Sequence, residues 1–212
     1  PRLVILPSPQ VLTEEAWNAL LRYVEGGGNL LITGSMERDA HWRLTKRLAA
    51  LGLDAAPEPL TFRQGILDLG TTRIPVGFDS QKQQYLEALR FADGSTFREL
   101  PRGKGRIFIA GYPLELAEGS QATAELYGWV LRKVGLEPPF EGKFPSAGVL
   151  IRPVQFAESV LYLFVSESGG EEEIAIKDKA TGAELRFRLP PQESRLVLLR
   201  KRDAAVIARY GF

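Results

Sequence analysis

Residues 3–34 constrain the fold of this chain more than any other stretch. Leu3-Val4-Ile5-Leu6 is a short apolar run closed by Pro7-Ser8-Pro9, and Leu30-Leu31-Ile32-Thr33 is a second run opened by Gly26-Gly27-Gly28. Between them Trp17, Leu20, Leu21 and Val24 recur at helical spacing and form the apolar stripe of an amphipathic helix. Thr13 stands where that helix needs an N-cap, Glu14 and Glu15 suit the positive end of its dipole, and Gly26 can end it in a left-handed cap. Strand, helix and strand in that order make a βαβ unit. Neither strand alternates apolar with polar residues, so both read as buried on two faces in a parallel sheet covered by helices. Such sheets hold ligands or nucleophiles outside the carboxyl ends of their strands.

The rest of the chain falls into recognisable stretches. A second helix is predicted over 37–51, with His41, Leu44, Leu48 and Leu51 along one face and Gly52 after it. From 57 to 100 the runs are short, at 60–67, 73–78 and 85–91, broken by Gly65, Gly70, Pro75 and Gly77. Asp93-Gly94 is a hairpin turn signal before 95–100, so this region reads as β-hairpins inserted into the α/β sheet or laid along its edge. Residues 106–110 return to a buried strand. A helix capped by Ser120 follows, burying Tyr127, Val130, Leu131 and Val134 and stopping at Gly135. Pro138, Pro139, Gly142, Pro145 and Gly148 mark 138–148 as a linker. Beyond it lie six short β runs, at 149–156, 159–166, 172–177, 184–189, 195–199 and 205–210. The expected fold is therefore α/β. A parallel sheet with hairpin insertions spans 1–137, and a small antiparallel β-sandwich spans 149–212.

Composition narrows the function classes. At 212 residues the chain can bury a core without staples, and the absence of cysteine excludes disulfides, thiolate metal sites and a cysteine nucleophile. Lysine and arginine total 27 against 26 for aspartate and glutamate, so no large field draws the chain to nucleic acid or an anionic membrane. No apolar run approaches the roughly 20 residues of a membrane helix. A soluble protein is expected, with the cytoplasm the favoured compartment. The first residue is Pro1 and Leu3 already begins a strand, which reads as a piece of a longer polypeptide.

At the level of motifs, residues 3–34, "LVILPSPQVLTEEAWNALLRYVEGGGNLLITG", resemble the glutamine-amidotransferase-like domain behind the catalytic barrel of bacterial β-galactosidases of glycoside hydrolase family 42. In that family it is called the trimerisation domain. Residues 103–136, "GKGRIFIAGYPLELAEGSQATAELYGWVLRKVGL", resemble its closing strand and helix. "VLYLFVSES" and "RLVLLRKRDAAVIARY" look like the small β-domain that often ends such glycosidases. The resemblance implies a flavodoxin- or amidotransferase-like parallel sheet for the first domain, a non-catalytic accessory and oligomerisation region, a homotrimer, and a catalytic barrel domain elsewhere in a parent chain. Similar strings occur in amidotransferase-like domains of transport-associated proteins, which is a further reading.

Candidate sites are few, and no cofactor or metal is expected. Class I amidotransferases place a cysteine in a glycine-flanked elbow after a strand. Here that position reads Gly34-Ser35-Met36-Glu37, so Ser35 would replace the nucleophile and His41, the one histidine, would have to be its base. The simpler reading makes Ser35 a helix N-cap and His41 a side chain on the apolar face. Glu14, Glu15, Glu25, Glu115, Glu118 and Glu125 are explained by helix polarity or solvation, and Glu171-Glu172-Glu173 by a hairpin end. Gly26-Gly27-Gly28 precedes a strand rather than a helix and so makes no phosphate loop. A carbohydrate-recognition module is the alternative. Its contacts would come from β-domain aromatics, with Tyr162 and Tyr210 the candidates, although strand alternation turns some of these rings inward. All three tryptophans, Trp17, Trp42 and Trp129, fall on predicted helices. The arginines 186, 188, 195, 200 and 202 read as a protected sheet edge.

Overall fold

A computed structural model of the chain describes residues 1–81, 85–143 and 148–212, which divide into the units Pro1–Leu136 and Glu137–Phe212. The first runs β1 (Leu3–Leu6), α1 (Glu14–Glu25), β2 (Asn29–Thr33), α2 (Arg47–Ala50), β3 (Ala55–Pro59), β4 (Gln64–Asp68), β5 (Arg73–Gly77), β6 (Glu87–Phe91), β7 (Phe97–Arg102), β8 (Gly105–Ala110) and α3 (Gln121–Lys133). The second continues with β9 (Phe140–Lys143), β10 (Val149–Gln155), β11 (Ser159–Ser166), β12 (Glu172–Asp178), β13 (Glu184–Leu189), β14 (Ser194–Arg200) and β15 (Val206–Tyr210).

The βαβ unit forms where the pattern places it. Thr13 caps α1, its Oγ1 accepting from the Ala16 N–H at 3.2 Å, and Trp17 and Val24 are buried. Gly26 stays right-handed; the left-handed turn falls to Gly27 at φ 111°. β2 pairs in parallel with β1 and β8, and β7 closes the sheet antiparallel to β8. Successive residues of β2 and β8 feed opposite cores. Leu30, Ile32, Ile107 and Ile109 pack with Trp17, Val24 and Leu48, while Leu31, Phe108 and Ala110 pack with the α3 residues Leu126, Trp129 and Val130 and with the β4–β5 hairpin.

The expectation of a flavodoxin- or amidotransferase-like parallel α/β fold is corrected. Strand dominates the chain, and among the described residues parallel pairing is confined to β1, β2 and β8, while every other ladder is antiparallel. Among the described residues only α1 and α3, of 12 and 13 residues, are long enough to cover a sheet. A doubly wound sheet needs a crossover helix for each added parallel strand, and the chain between β2 and β8 spends its length on β3–β6 and β4–β5 pairs instead. The helix predicted over 37–51 shrinks to α2. Asp93-Gly94 turns the chain from β6 to β7, but β6 pairs with β3 and β7 with β8, so it closes no hairpin. The apolar face of α3 is Ala122, Leu126, Trp129 and Val130, one step round from the predicted stripe.

In the second unit the four-stranded order is β10-β11-β14-β15 and the three-stranded order β13-β12-β9, all antiparallel, and the two sheets share one apolar cluster. β9 lies within the stretch read as a linker and pairs with β12. Arg186 and Arg188 sit on β13, an edge strand, whereas Arg195 and Arg200 belong to β14, an interior one.

Candidate functional site

The loops leaving β1, β2 and β8 at their carboxyl ends converge on a cleft of about 310 Å³. Ser8 and Gln10 follow β1, Ser35 follows β2, and Pro113 follows β8. Arg38 and Trp42 enter from the loop before α2, and Tyr85 and Glu87 from the approach to β6.

One carboxylate outside the cleft lining fixes the Ser8 loop. Glu115 Oε2 accepts from the hydroxyls of Ser8 at 2.6 Å and Thr33 at 2.5 Å, while its Oε1 accepts from the Tyr127 hydroxyl at 2.6 Å. The Ser8 N–H in turn donates to Thr33 Oγ1 at 2.8 Å. Burial, and then the hydrogen bond to Glu115, raise the Tyr127 phenol above its ordinary value.

The loop that carries Arg38 and Trp42 is pinned from beneath. Buried Arg47 donates from Nη1 to the carbonyls of Met36 at 2.7 Å and Arg38 at 3.2 Å, from Nη2 to that of Leu12 at 2.6 Å, and from Nε to Glu14 at 3.1 Å. Buried Glu37 accepts the Leu48 N–H at 2.7 Å and the Thr45 hydroxyl at 3.3 Å. Asp39 Oδ1 accepts from the N–H groups of His41 at 2.8 Å and Arg43 at 3.0 Å, which holds its own carboxyl below the usual range and closes a tight turn around Trp42. At the cleft wall Arg38 pairs with Glu87 through two hydrogen bonds, Nε to Oε2 at 3.1 Å and Nη2 to Oε1, which raise the guanidinium further.

The serine-nucleophile reading fails on this geometry. Ser35 is buried, its Oγ accepts the Glu37 N–H at 3.4 Å, and the left-handed residue at the strand end is Gly34 at φ 72°, so Ser35 occupies no strained elbow. It does not cap α2 either; Glu37 supplies the acceptor for Leu48. His41 lies in an exposed turn instead of on a helix face, and among the described residues no hydrogen bond joins it to Ser35. Of the proposed sugar contacts, Tyr162 is 0% exposed and donates to Asp178, so it has no surface to offer, whereas Tyr210 is 71% exposed on β15. Among the described residues no group of three or more His, Asp or Glu side chains is placed to hold a metal ion. Sequence reasoning missed the Arg38–Glu87 pair, 49 residues apart in the chain, and placed Trp42 on a helix when it is 58% exposed at φ 60°.

No protein-family model matches the chain, and no curated protein sequence matches it. Among solved structures it is similar in fold to Gan42B, a GH42 β-galactosidase from G. stearothermophilus, at 18% identity and a TM-score of 0.64. It is likewise similar to the β-galactosidases of Rahnella sp. R3, at 14% and 0.63, and of Bacillus circulans sp. alkalophilus, at 12% and 0.62. These alignments cover 94%, 94% and 93% of this chain but 32%, 32% and 33% of the others. The chain thus spans about a third of the length of the structures it matches, and at these identities the likeness is one of fold.

Proposed function

We propose that this chain is a non-catalytic accessory region of a bacterial glycoside hydrolase resembling β-galactosidase. The carrying observation is that almost the whole chain follows the fold of one third of GH42 β-galactosidases. The resemblance of residues 3–34 and 103–136 to the trimerisation domain of that family adds a specific role: the region makes subunit contacts around a catalytic barrel that lies outside it. The purified chain is expected to leave nitrophenyl-β-galactosides intact. Turnover that persists through stringent purification and vanishes in Ser35→Ala would overturn this reading.

A further inference from the structure

We propose that the cleft at the carboxyl ends of β1, β2 and β8 is a binding site for a neutral sugar ring, with Trp42 as the stacking face and the Arg38–Glu87 pair as the hydroxyl clamp. The site is distinct from the β-domain contacts considered from sequence, and it depends on no oligomeric role.

The first support is preorganisation. Ser8 at φ 43° and Trp42 at φ 60° are non-glycine residues in the left-handed region, a strained conformation that persists only where the surroundings enforce it. Both line the cleft, and both are enforced. Ser8 is held by Thr33 and Glu115, and Trp42 by its N–H to the Asp39 carbonyl at 3.0 Å together with the Asp39 turn.

The second is chemistry. A pyranose offers an apolar C–H face and a rim of hydroxyls. The Arg38 guanidinium covers one face of the Trp42 ring, 5.9 Å from its centroid. The other face of Trp42, at 58% exposure, and Tyr85, at 78%, therefore offer the aromatic surface whose burial against such a sugar face is favourable. Arg38 has five N–H donors, of which Glu87 engages two and the Trp42 carbonyl one, and the Glu87 carboxylate keeps acceptor capacity. Adjacent hydroxyls of a sugar suit such a planar donor and acceptor pair, and Ser8, Gln10 and Ser35 add uncharged polar groups. Because Glu87 neutralises Arg38, an anionic ligand gains little here. The volume of about 310 Å³ lies at the small end of the roughly 300–1,000 Å³ of small-molecule sites, too small for a docked helix.

Trp17 and Trp129 are buried, so a change in exposed tryptophan emission reports on Trp42. The test titrates galactose, glucose and lactose into the intact chain, reading fluorescence and calorimetric heat. A saturable response to at least one sugar is expected. Trp42→Ala should abolish the heat, and Glu87→Ala should weaken binding about tenfold. Arg73→Ala, an exposed β5 residue outside the cleft lining, should leave binding unchanged. Thermal melts of each variant establish that it is folded. No saturable response to any of the three sugars, a response to phosphate or glucuronate in their place, or sugar binding that survives Trp42→Ala would each overturn the proposal. A trimer that binds no sugar would refute this inference and leave the accessory role standing.

Discussion

The hydroxyl of Tyr162 is sealed in the core of the second unit, where it donates to Asp178 and shares a 3.0 Å contact with Thr181. Burial first and the neighbouring Asp178 carboxylate next raise its pKa, as burial and Glu115 do for Tyr127. A phenol whose folded pKa lies above its unfolded value of about 10 stabilises the fold fully below that pH. The contribution is lost as pH climbs above about 10, because the unfolded chain releases a proton that the folded chain retains. Urea midpoints measured from neutral pH to strongly alkaline pH should therefore fall less steeply above pH 10 in Tyr162→Phe than in the unaltered protein; parallel curves would contradict the assignment. Residues of this kind were poorly legible in the sequence. Tyr162 alternates with outward neighbours in β11, so its inward position was readable but its Asp178 partner was not. Arg47 is a charged residue in a charged stretch, and nothing local marks it as the buried tie between Leu12, Met36 and Arg38.

At the level of elements, the tightest joint in the first unit is the entry to β8. A Cβ on Gly105 would lie 1.9 Å from the Gly28 carbonyl oxygen and 2.4 Å from that of Val24, both backbone atoms of the βαβ unit that cannot swing aside. Gly105→Ala should force β8 away from β2 and cost on the order of 3 kcal/mol or more in urea denaturation. A cost below about 1 kcal/mol would mean that β8 does not sit against α1 and β2 as described. The strands of the second unit were the most legible: the six runs predicted beyond residue 148 became β10 to β15 with ends shifted by at most one residue. The predicted helix at 37–51 shows why periodicity alone misleads. His41, Leu44, Leu48 and Leu51 do recur at helical spacing, yet Leu44 is exposed, and Asp39, Glu37 and Arg47 spend their side chains on backbone groups that a helix would have used itself. Only α2 remains.

For the molecule as a whole, pattern reading saw β1, α1, β2 and β8 correctly but extrapolated them to a parallel sheet that the chain does not build. The missing information was non-local: whether β3 to β6 extend that sheet or pair among themselves is decided by contacts dozens of residues apart, and short strands broken by glycine and proline carry no label for their partners. The cleft has the same origin, since its wall is made of segments near residues 8, 38, 85 and 113 that converge only once the parallel strands align their carboxyl ends. The role proposed for the whole region is to assemble subunits in support of chemistry done elsewhere. Light scattering coupled to size-exclusion chromatography, run over a wide range of concentration, tests it most directly. A stable species at three times the 23.5 kDa mass of the chain is expected; a single-chain mass at every concentration would overturn the assembly role.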